Sequence, residues 1–165
     1  MFLFNSSTLI LTAKIELLDL FLSEIGVEVA IPRAVEEECC VGKKTLDAFM
    51  IQRAVDESRI TVRSVKNRRL VQRLAADFNM GRGESEVIAL ALQENARLVG
   101  VDDKRGMDAC KLTGVPFTTA ITILLRSRQK RLIDKDDALA RLASLARYGR
   151  YRSSILEDAK RRLEE

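Results

Sequence analysis

The amino-acid sequence predicts an α/β fold, a three-layer α/β/α sandwich built around a short parallel sheet. Through the first three quarters of the 165 residues, short apolar runs alternate with longer segments whose apolar residues recur at helical spacing. This alternation is typical of parallel sheets with helices on both faces. No internal repeat, low-complexity tract or linker interrupts it. We therefore expect one domain over residues 1–165, with residues 134–165 forming a C-terminal helical extension of that domain.

The apolar runs give five expected strands, at residues 1–4, 27–31, 60–65, 98–101 and 115–117. Apolar residues three or four positions apart mark the helices. The markers of the first four helices are Leu9, Ala13, Leu17, Leu18 and Phe21 with a stop at Gly26; Pro32 in a first turn; Leu46, Phe49, Met50 and Ala54; and Leu70, Leu74 and Phe78. After a break at Gly81-Arg82-Gly83, Glu84 opens a helix with Val87, Ile88, Ala91 and Leu92 on its apolar face, and further helices are expected at 120–130, 135–146 and 153–163.

Composition excludes several classes of function. The chain has no histidine, which rules out Ser-His-Asp and Cys-His catalysis and every zinc site with a histidine ligand. Its three cysteines include no CxxC pair, so a disulfide framework is not expected and a reducing cytoplasm is. The apolar N-terminal segment lacks a basic region and is interrupted at residues 5–7, which argues against a signal peptide, and no segment is long enough to span a membrane.

Acidic and amide side chains follow the ends of predicted strands. Asn5 follows the first strand, Asp102 follows the strand at 98–101, and Glu84 lies in the first turn of the helix that leads into that strand. Glu38 is a fourth candidate, because it flanks the buried stripe of its helix. Ligands of open parallel sheets bind outside the carboxyl ends of the strands, so these side chains are expected to converge. Crowded carboxylates repel one another unless a cation joins them, and oxygen ligands favour Mg²⁺ or Mn²⁺.

Each of these residues also has a purely structural interpretation. Asn5 could be a helix N-cap, Glu84 an acid favoured by the helix dipole, and residues 36–38 a solvated helix face. Asp102 and Asp103 could form no more than a turn after a strand. The expected common location of the four candidates is what favours a binding site.

Two further patterns bear on nucleotide and nucleic-acid binding. The run Gly81-Arg82-Gly83-Glu84-Ser85-Glu86 holds only half of a dinucleotide-binding GxGxxG and follows no obvious strand, which disfavours nucleotide binding. The net charge is +4, which permits a nucleic-acid partner without requiring one. Basic residues at 66–69 and 126–131, with Arg147, Arg150 and Arg152, could follow a phosphate backbone or could be solvated helix faces. With 5% aromatic residues and no tryptophan, a stacking platform for bases is not expected.

Four segments together resemble PIN-domain proteins. They are Phe4-Asn5-Ser6-Ser7-Thr8-Leu9-Ile10, Ile31-Pro32-Arg33-Ala34-Val35-Glu36-Glu37-Glu38, Gly81-Arg82-Gly83-Glu84-Ser85-Glu86-Val87-Ile88-Ala89-Leu90-Ala91 and Leu98-Val99-Gly100-Val101-Asp102-Asp103-Lys104-Arg105. Their order and spacing fit the family, and the resemblance runs through Ile133 and more weakly to the C-terminus. It is greatest to a prokaryotic branch often found as the toxin half of toxin–antitoxin pairs.

The resemblance implies a metal-dependent endoribonuclease that uses Mg²⁺ or Mn²⁺ to cleave RNA. Position by position, Glu38, Glu84 and Asp102 take the family's acidic catalytic places, and Asp103 is an additional metal ligand. The first acidic place is held by Asn5, whose amide oxygen can coordinate a cation but brings no charge. A homodimer and an antitoxin partner are also implied.

Two alternatives remain open. A PIN fold without catalysis could act as an RNA-binding or protein-interaction module, which the neutral Asn5 favours, whereas strong Mn²⁺ binding would favour the enzyme. A receiver-type phosphoacceptor domain would also place acids after an early and a central strand, but Asn5 has no acidic neighbour. The expected homodimer has its own sequence argument, because the apolar residues of the last helices exceed what one small sheet needs: Leu139, Leu142, Leu145 and Leu156.

Overall fold

Five short strands form an all-parallel sheet in the computed structural model, which describes residues 1–165. The strands are β1 (Phe2–Phe4), β2 (Val29–Pro32), β3 (Thr61–Arg63), β4 (Leu98–Gly100) and β5 (Phe117–Thr118). They lie in the order β3-β2-β1-β4-β5, and every neighbouring pair is parallel. The predicted parallel sheet is confirmed.

Ten helices cover the two faces of this sheet. They are α1 (Ser6–Lys14), α2 (Leu18–Glu24), α3 (Arg33–Cys40), α4 (Leu46–Asp56), α5 (Arg68–Phe78), α6 (Arg82–Glu94), α7 (Lys104–Thr113), α8 (Ala120–Gln129), α9 (Lys135–Tyr148) and α10 (Ser153–Glu164). Helices α5, α6 and α7 pack together on one face, and α1 packs with α4, α8 and α9 on the other. This arrangement is the expected three-layer sandwich. None of the ten helices has both the length and the apolar character that crossing a membrane requires.

The interior is one continuous apolar cluster of 43 buried residues. All of β1 is buried, as a central strand covered on both faces must be. Phe2, Phe4 and Phe21 pack edge to face, with ring centroids 4.8 to 5.3 Å apart. Leu142 and Leu145 of α9 belong to the same cluster, so the C-terminal helices share the core of the sheet.

The expected first helix is in fact two helices. Helix α1 ends at Lys14 and α2 begins at Leu18, and between them Glu16 has a φ of 55°, in the left-handed region. Both helices present apolar residues to the same core. Their combined stripe therefore gave no sign of the break.

The helix expected to open at Glu84 begins two residues earlier, at Arg82. Gly81 is its N-cap, and Gly83 lies inside its first turn rather than in a break before it. At the far end of the predicted apolar face, Leu92 is 40% exposed. The boundary prediction was wrong because Gly83 lies inside the helix, where a Cβ atom would meet the carboxylate of Glu38 in α3.

Part of the stripe that marked α4 lies on the surface. Leu46 and Phe49 are 67% and 64% exposed, and Val41 before them is 68% exposed. The buried residues of α4 are instead Asp47, Ala48, Ile51 and Ala54. Val41, Leu46 and Phe49 form an exposed apolar group, which we call the α3–α4 patch.

The leucines of the last helices do not form a free apolar surface. Leu142 and Leu145 are buried within the chain, and Leu139 and Leu156 pack against the same core. These leucines therefore do not predict a homodimer, because they pack within the chain.

Candidate metal centre

The acidic residues lie where the direction of the chain through the sheet reverses. Strands β1 and β4 are neighbours, yet the chain leaves β1 toward β2 and leaves β4 toward β5. Such a switch point opens a crevice at the carboxyl ends of the strands, where α/β sheets bind ligands. Asn5 directly follows β1, and its backbone N–H donates to the carbonyl of Gly100 in β4 at 2.9 Å. Asp102 and Asp103 follow β4 two and three residues later.

Asn5 is both an N-cap and a member of the acidic cluster. Its side chain is buried, and its Oδ1 accepts a hydrogen bond from the backbone N–H of Ser6 at 2.8 Å. Its Nδ2 donates to Oδ2 of Asp103 at 3.2 Å. Asn5 therefore presents its NH₂ group, and not its carbonyl, to a neighbouring carboxylate.

Glu38 is held between α1 and α6. Its Oε2 accepts from the hydroxyl of Ser6, and its Oε1 accepts from the backbone N–H of Gly83 at 3.2 Å. A Cβ atom on Gly83 would overlap with Oε1 of Glu38, well inside van der Waals distance. The glycine in the first turn of α6 thus makes room for the carboxylate of α3.

Glu84 points into the same region from the first turn of α6. Its Oε2 accepts from the backbone N–H of Gly81 at 3.2 Å, and its Oε1 has no hydrogen-bond partner. Burial raises the pKa of Glu84, and the charges of Asp103 and Glu38 raise it further. One oxygen of Glu84 thus caps the helix, as the structural interpretation expected, while the other is free.

Asp102 is the most heavily hydrogen-bonded of the candidates. Its Oδ2 accepts from the hydroxyl of Thr8 at 2.6 Å and from the backbone N–H of Ala120 at 3.0 Å, and its Oδ1 accepts from the hydroxyl of Tyr151 at 2.5 Å. Burial raises the pKa of Asp102, although these three donors act in the opposite direction. Asp103 accepts from the backbone N–H of Gly106 at 2.7 Å and caps α7.

The donor set fits a hydrated divalent cation rather than a fully dehydrated one. No three of the acidic side chains stand close enough together to hold a metal by themselves. Mg²⁺, however, usually keeps several waters and is bound through one or two carboxylates. Glu84 offers a free oxygen, and the repulsion that raises its pKa is the interaction that a cation would relieve. The carboxylates that repel the charge of Glu84 are those of Asp103 and Glu38.

Glu86 belongs to the structural support of the site. It is 1% exposed, and its carboxylate accepts from Arg68 at 2.7 Å, from Arg82 at 3.1 Å and from the backbone N–H of Ala34 at 3.3 Å. Burial alone would raise the pKa of Glu86, but these hydrogen bonds outweigh it and the pKa is lowered. Because Ala34 lies in α3, Arg68 in α5 and Arg82 in α6, this carboxylate ties three helices together around Glu38 and Glu84.

Several residues of the site carried no functional assignment from sequence. Ser6 and Thr8 lie one and three positions after Asn5 in the opening motif. A helical turn at this point brings their hydroxyls beside the strand ends, so their spacing from Asn5 could have predicted a place in the site. Tyr151 had none, because it lies 49 positions from Asp102 in the segment between α9 and α10.

The basic residues at 126–131 lie away from the acidic cluster. Helix α8 begins beside Asp102 and runs about 15 Å toward the amino ends of the strands. There Arg126 and Lys130 line an open cleft of about 550 Å³ with residues at the starts of three strands, namely Phe2, Leu98 and Phe117. Arg150 and Arg152, in contrast, are exposed on either side of Tyr151.

Comparison with known proteins identifies the family. None of the curated protein sequences matches this chain significantly. The profile of the DUF3368 family, described as a PIN domain, matches residues 1–165. The match covers the whole sequence and agrees with the parallel sheet and the acidic crevice, and the chain therefore belongs to the PIN-domain family.

Proposed function

We propose that this protein is a metal-dependent endoribonuclease that hydrolyses RNA phosphodiester bonds with Mg²⁺ or Mn²⁺. The observation that carries the proposal is the position of Glu84 near Glu38 and Asp103 at the switch point of the sheet, where Asn5 donates to Asp103. Burial raises the pKa of Glu84, and the charges of these two carboxylates raise it further. Membership of the PIN-domain family, whose members are generally nucleases, supports it.

The side chains have distinct roles in this proposal. Glu84 supplies the free carboxylate oxygen, and Glu38 is aimed by its bonds to Ser6 and Gly83. Asp102, held by its hydrogen bonds, and Asp103, beside Asn5, complete the negative field. A bound Mg²⁺ or Mn²⁺ would acidify water and stabilise the negative charge that develops on the phosphate during hydrolysis.

A metal titration combined with RNA cleavage tests the proposal. Mn²⁺ binding is measured by calorimetry, and cleavage is followed on a panel of structured RNAs. We expect saturable binding and cleavage that a chelator abolishes. Glu84→Gln keeps an oxygen that can cap the helix and removes only the charge of the side chain. Mn²⁺ affinity should therefore fall about tenfold or more, as it does when metal ligands and their partners are removed.

Asp102→Asn is the second variant of this experiment. With the new NH₂ group in the place of Oδ1, the hydroxyl of Tyr151 can turn to accept from it, while the remaining oxygen keeps its bonds from Thr8 and Ala120. Folding should therefore be largely kept while the negative field weakens. Cleavage that persists unchanged in both variants would point to a contaminating nuclease and contradict the proposal. Wild-type protein that neither binds Mn²⁺ nor cleaves RNA would contradict it directly.

The second candidate function is a PIN fold without catalysis, acting as an RNA-binding or protein-interaction module. The NH₂ group of Asn5, which faces Asp103 where a carboxylate is expected in the family, favours it. RNA binding without Mn²⁺ binding or cleavage, in the same experiment, would establish this function instead.

A toxin role within a toxin–antitoxin pair is the finer form of the proposal. Growth arrest on expression in a bacterial host, absent for Glu84→Gln, would support it, and unimpaired growth at confirmed expression would oppose it. A homodimer also remains a prediction. Light scattering at about tens of micromolar, a concentration matched to micromolar affinity, tests this expectation.

A further inference from the structure

Tyr151 reaches the acidic site from a distant part of the chain. It lies between α9 and α10, and its hydroxyl donates to Oδ1 of Asp102 at 2.5 Å. An O–H···O distance in this range is typical of a hydrogen bond to an ionised carboxylate. Among the donors to Asp102, only Thr8 and Tyr151 use side chains, and they hold opposite oxygens.

The fold fixes the tyrosine ring from several sides. A Cβ atom on Gly149 would overlap with Cε2 of Tyr151, so the ring packs directly on the glycine that ends α9. Tyr151 also packs against the hydrophobic core. Leu145 of α9 and Ala159 of α10 are buried on either side of this segment. The phenol is therefore carried by two anchored helices and is not a mobile surface group.

A carboxylate acts on a nearby cation most strongly when hydrogen bonds fix its orientation, as outer-shell partners do in metal sites. Thr8 and the backbone N–H of Ala120 hold Oδ2 of Asp102, and Ala120 also reaches Oδ1 at a longer 3.2 Å. The short bond from Tyr151 is thus the main restraint on Oδ1. Without it, Oδ1 would keep only the longer bond from Ala120, and the orientation of the carboxylate would be less restrained.

We propose that Tyr151 is a positioning residue of the metal centre, which holds Asp102 in its cation-binding orientation and makes the α9–α10 segment part of the active site. This inference rests on the proposed function. It assigns a role in the site to the C-terminal segment, which provides none of the acidic residues. Outer-shell hydrogen bonds of this kind typically contribute about 10–100-fold to metal affinity or activity.

The two tyrosines of the chain give a matched pair of variants. Tyr151→Phe removes only the hydroxyl, whereas Tyr148→Phe changes an exposed ring that lies over Lys14 and touches no acidic residue of the site. Calorimetry should show Mn²⁺ affinity about tenfold weaker in Tyr151→Phe and unchanged in Tyr148→Phe. For RNA cleavage, kcat should fall in Tyr151→Phe while KM for RNA stays near the wild-type value.

Terbium luminescence provides a readout that does not depend on activity. Tb³⁺ seeks oxygen ligands, and nearby tyrosine sensitises its emission over a short range. Because the chain has no tryptophan and only two tyrosines, emission excited through tyrosine should persist in Tyr148→Phe and disappear in Tyr151→Phe. Gly149→Ala, which must displace the ring of Tyr151, should weaken Mn²⁺ binding as Tyr151→Phe does.

Two outcomes separate this inference from the proposed function. If wild-type protein binds Mn²⁺ and cleaves RNA, but Tyr151→Phe has unchanged affinity and kcat, the positioning role is wrong and the nuclease proposal stands. Tb³⁺ emission that survives Tyr151→Phe would likewise overturn it, because the cation would then lie away from Asp102. If the wild-type protein binds neither cation and cleaves nothing, both proposals fail.

Discussion

Gly83 of α6 and Glu38 of α3 are in direct contact, between two of the helices that supply acidic residues. The missing side chain of Gly83 leaves space that the carboxylate of Glu38 fills, and its backbone N–H donates to that carboxylate. Glycine also costs helix stability relative to alanine, by about 1 kcal/mol in a helix interior. Its presence in the first turn of α6 is therefore better explained by the site than by the stability of the helix.

Gly83→Ala should separate stability from metal binding. The new methyl group must displace the flexible end of Glu38, so the free energy of unfolding should change by less than about 1 kcal/mol. Mn²⁺ affinity should fall about tenfold, because Glu38 leaves its bonded position. Gly81→Ala is the control, since a Cβ there meets nothing within 4 Å. Equal Mn²⁺ affinities for the two variants would show that the position of Glu38 is unimportant.

Asn5→Asp should strengthen metal binding and lower the stability of the metal-free protein. The new carboxylate would face Asp103 where Nδ2 now donates at 3.2 Å. Beside a divalent cation the added charge should gain about 1–2 kcal/mol after desolvation, or about tenfold in Mn²⁺ affinity. Without metal, repulsion should raise the pKa of the pair, so stability should fall as pH rises above the ordinary carboxylate range and recover in acid.

Thermal unfolding with and without Mn²⁺, across pH, measures both effects of Asn5→Asp. Asn67→Asp is the matched control, because Asn67 also caps a helix, through the backbone N–H of Leu70. If Asn5→Asp alters neither Mn²⁺ affinity nor metal-free stability, the side chain at position 5 does not act on the cluster.

At the scale of elements, sequence patterns located the strands better than the helix boundaries. The three central strands, β1, β2 and β4, are short and mostly buried runs, as the interior of a parallel sheet requires. Helix boundaries depend on tertiary packing, and the spacing of apolar residues along the sequence carries no information about that packing. The turn at Glu16 and the start of α6 at Arg82 are two boundaries that the apolar pattern did not predict.

The same limit applies to the candidate site. The positions of Asn5, Glu84 and Asp102 at strand and helix ends could be predicted, because such ends meet at one edge of a parallel sheet. The different contacts of Asp102 and Asp103 could not be predicted. They depend on Tyr151 and the start of α8, which lie far along the chain.

Glu86→Gln tests whether the buried carboxylate stabilises the junction of α3, α5 and α6. Its amide would turn a donor toward Arg68, Arg82 or the N–H of Ala34, and the variant should lose about 2 kcal/mol of unfolding free energy near neutral pH. Because the folded-state pKa of Glu86 is lowered, its contribution is present above the ordinary glutamate value and is lost as pH falls through the folded value.

Urea unfolding near neutral pH and in acid measures this difference for Glu86→Gln. The gap between wild type and variant should narrow in acid. Glu37→Gln is the control, since Glu37 pairs with the same Arg82 at the surface and should contribute little. A gap that is the same at both pH values would mean that the charge of Glu86 does not stabilise the fold.

At the scale of the whole molecule, the acidic residues lie at one end of the sheet, and basic side chains lie at both ends. The acidic crevice lies at the carboxyl ends of the strands, and the cleft with Arg126 and Lys130 lies at the amino ends. Arg68 of the other basic run is engaged with the buried Glu86, so reversing its charge would disturb the fold as well as any RNA contact. Arg150 and Arg152 are exposed, form no ion pair and flank Tyr151 beside the acidic end.

Charge reversal at the two ends should therefore have different effects on RNA binding. Arg150→Glu with Arg152→Glu should weaken binding of single-stranded RNA and reduce the slope of log affinity against log salt by about 0.7 for each phosphate that the protein no longer neutralises. Arg126→Glu with Lys130→Glu makes the same change in net charge about 15 Å along α8 from the site and should leave the slope nearly unchanged. Fluorescence anisotropy over a salt series, without divalent metal, measures both double variants without cleavage.

If both lower the slope equally, RNA is held by the overall positive charge of the molecule. If only the Arg126 and Lys130 variant lowers it, the RNA path crosses the amino ends of the strands, and the acidic crevice is not where RNA binds.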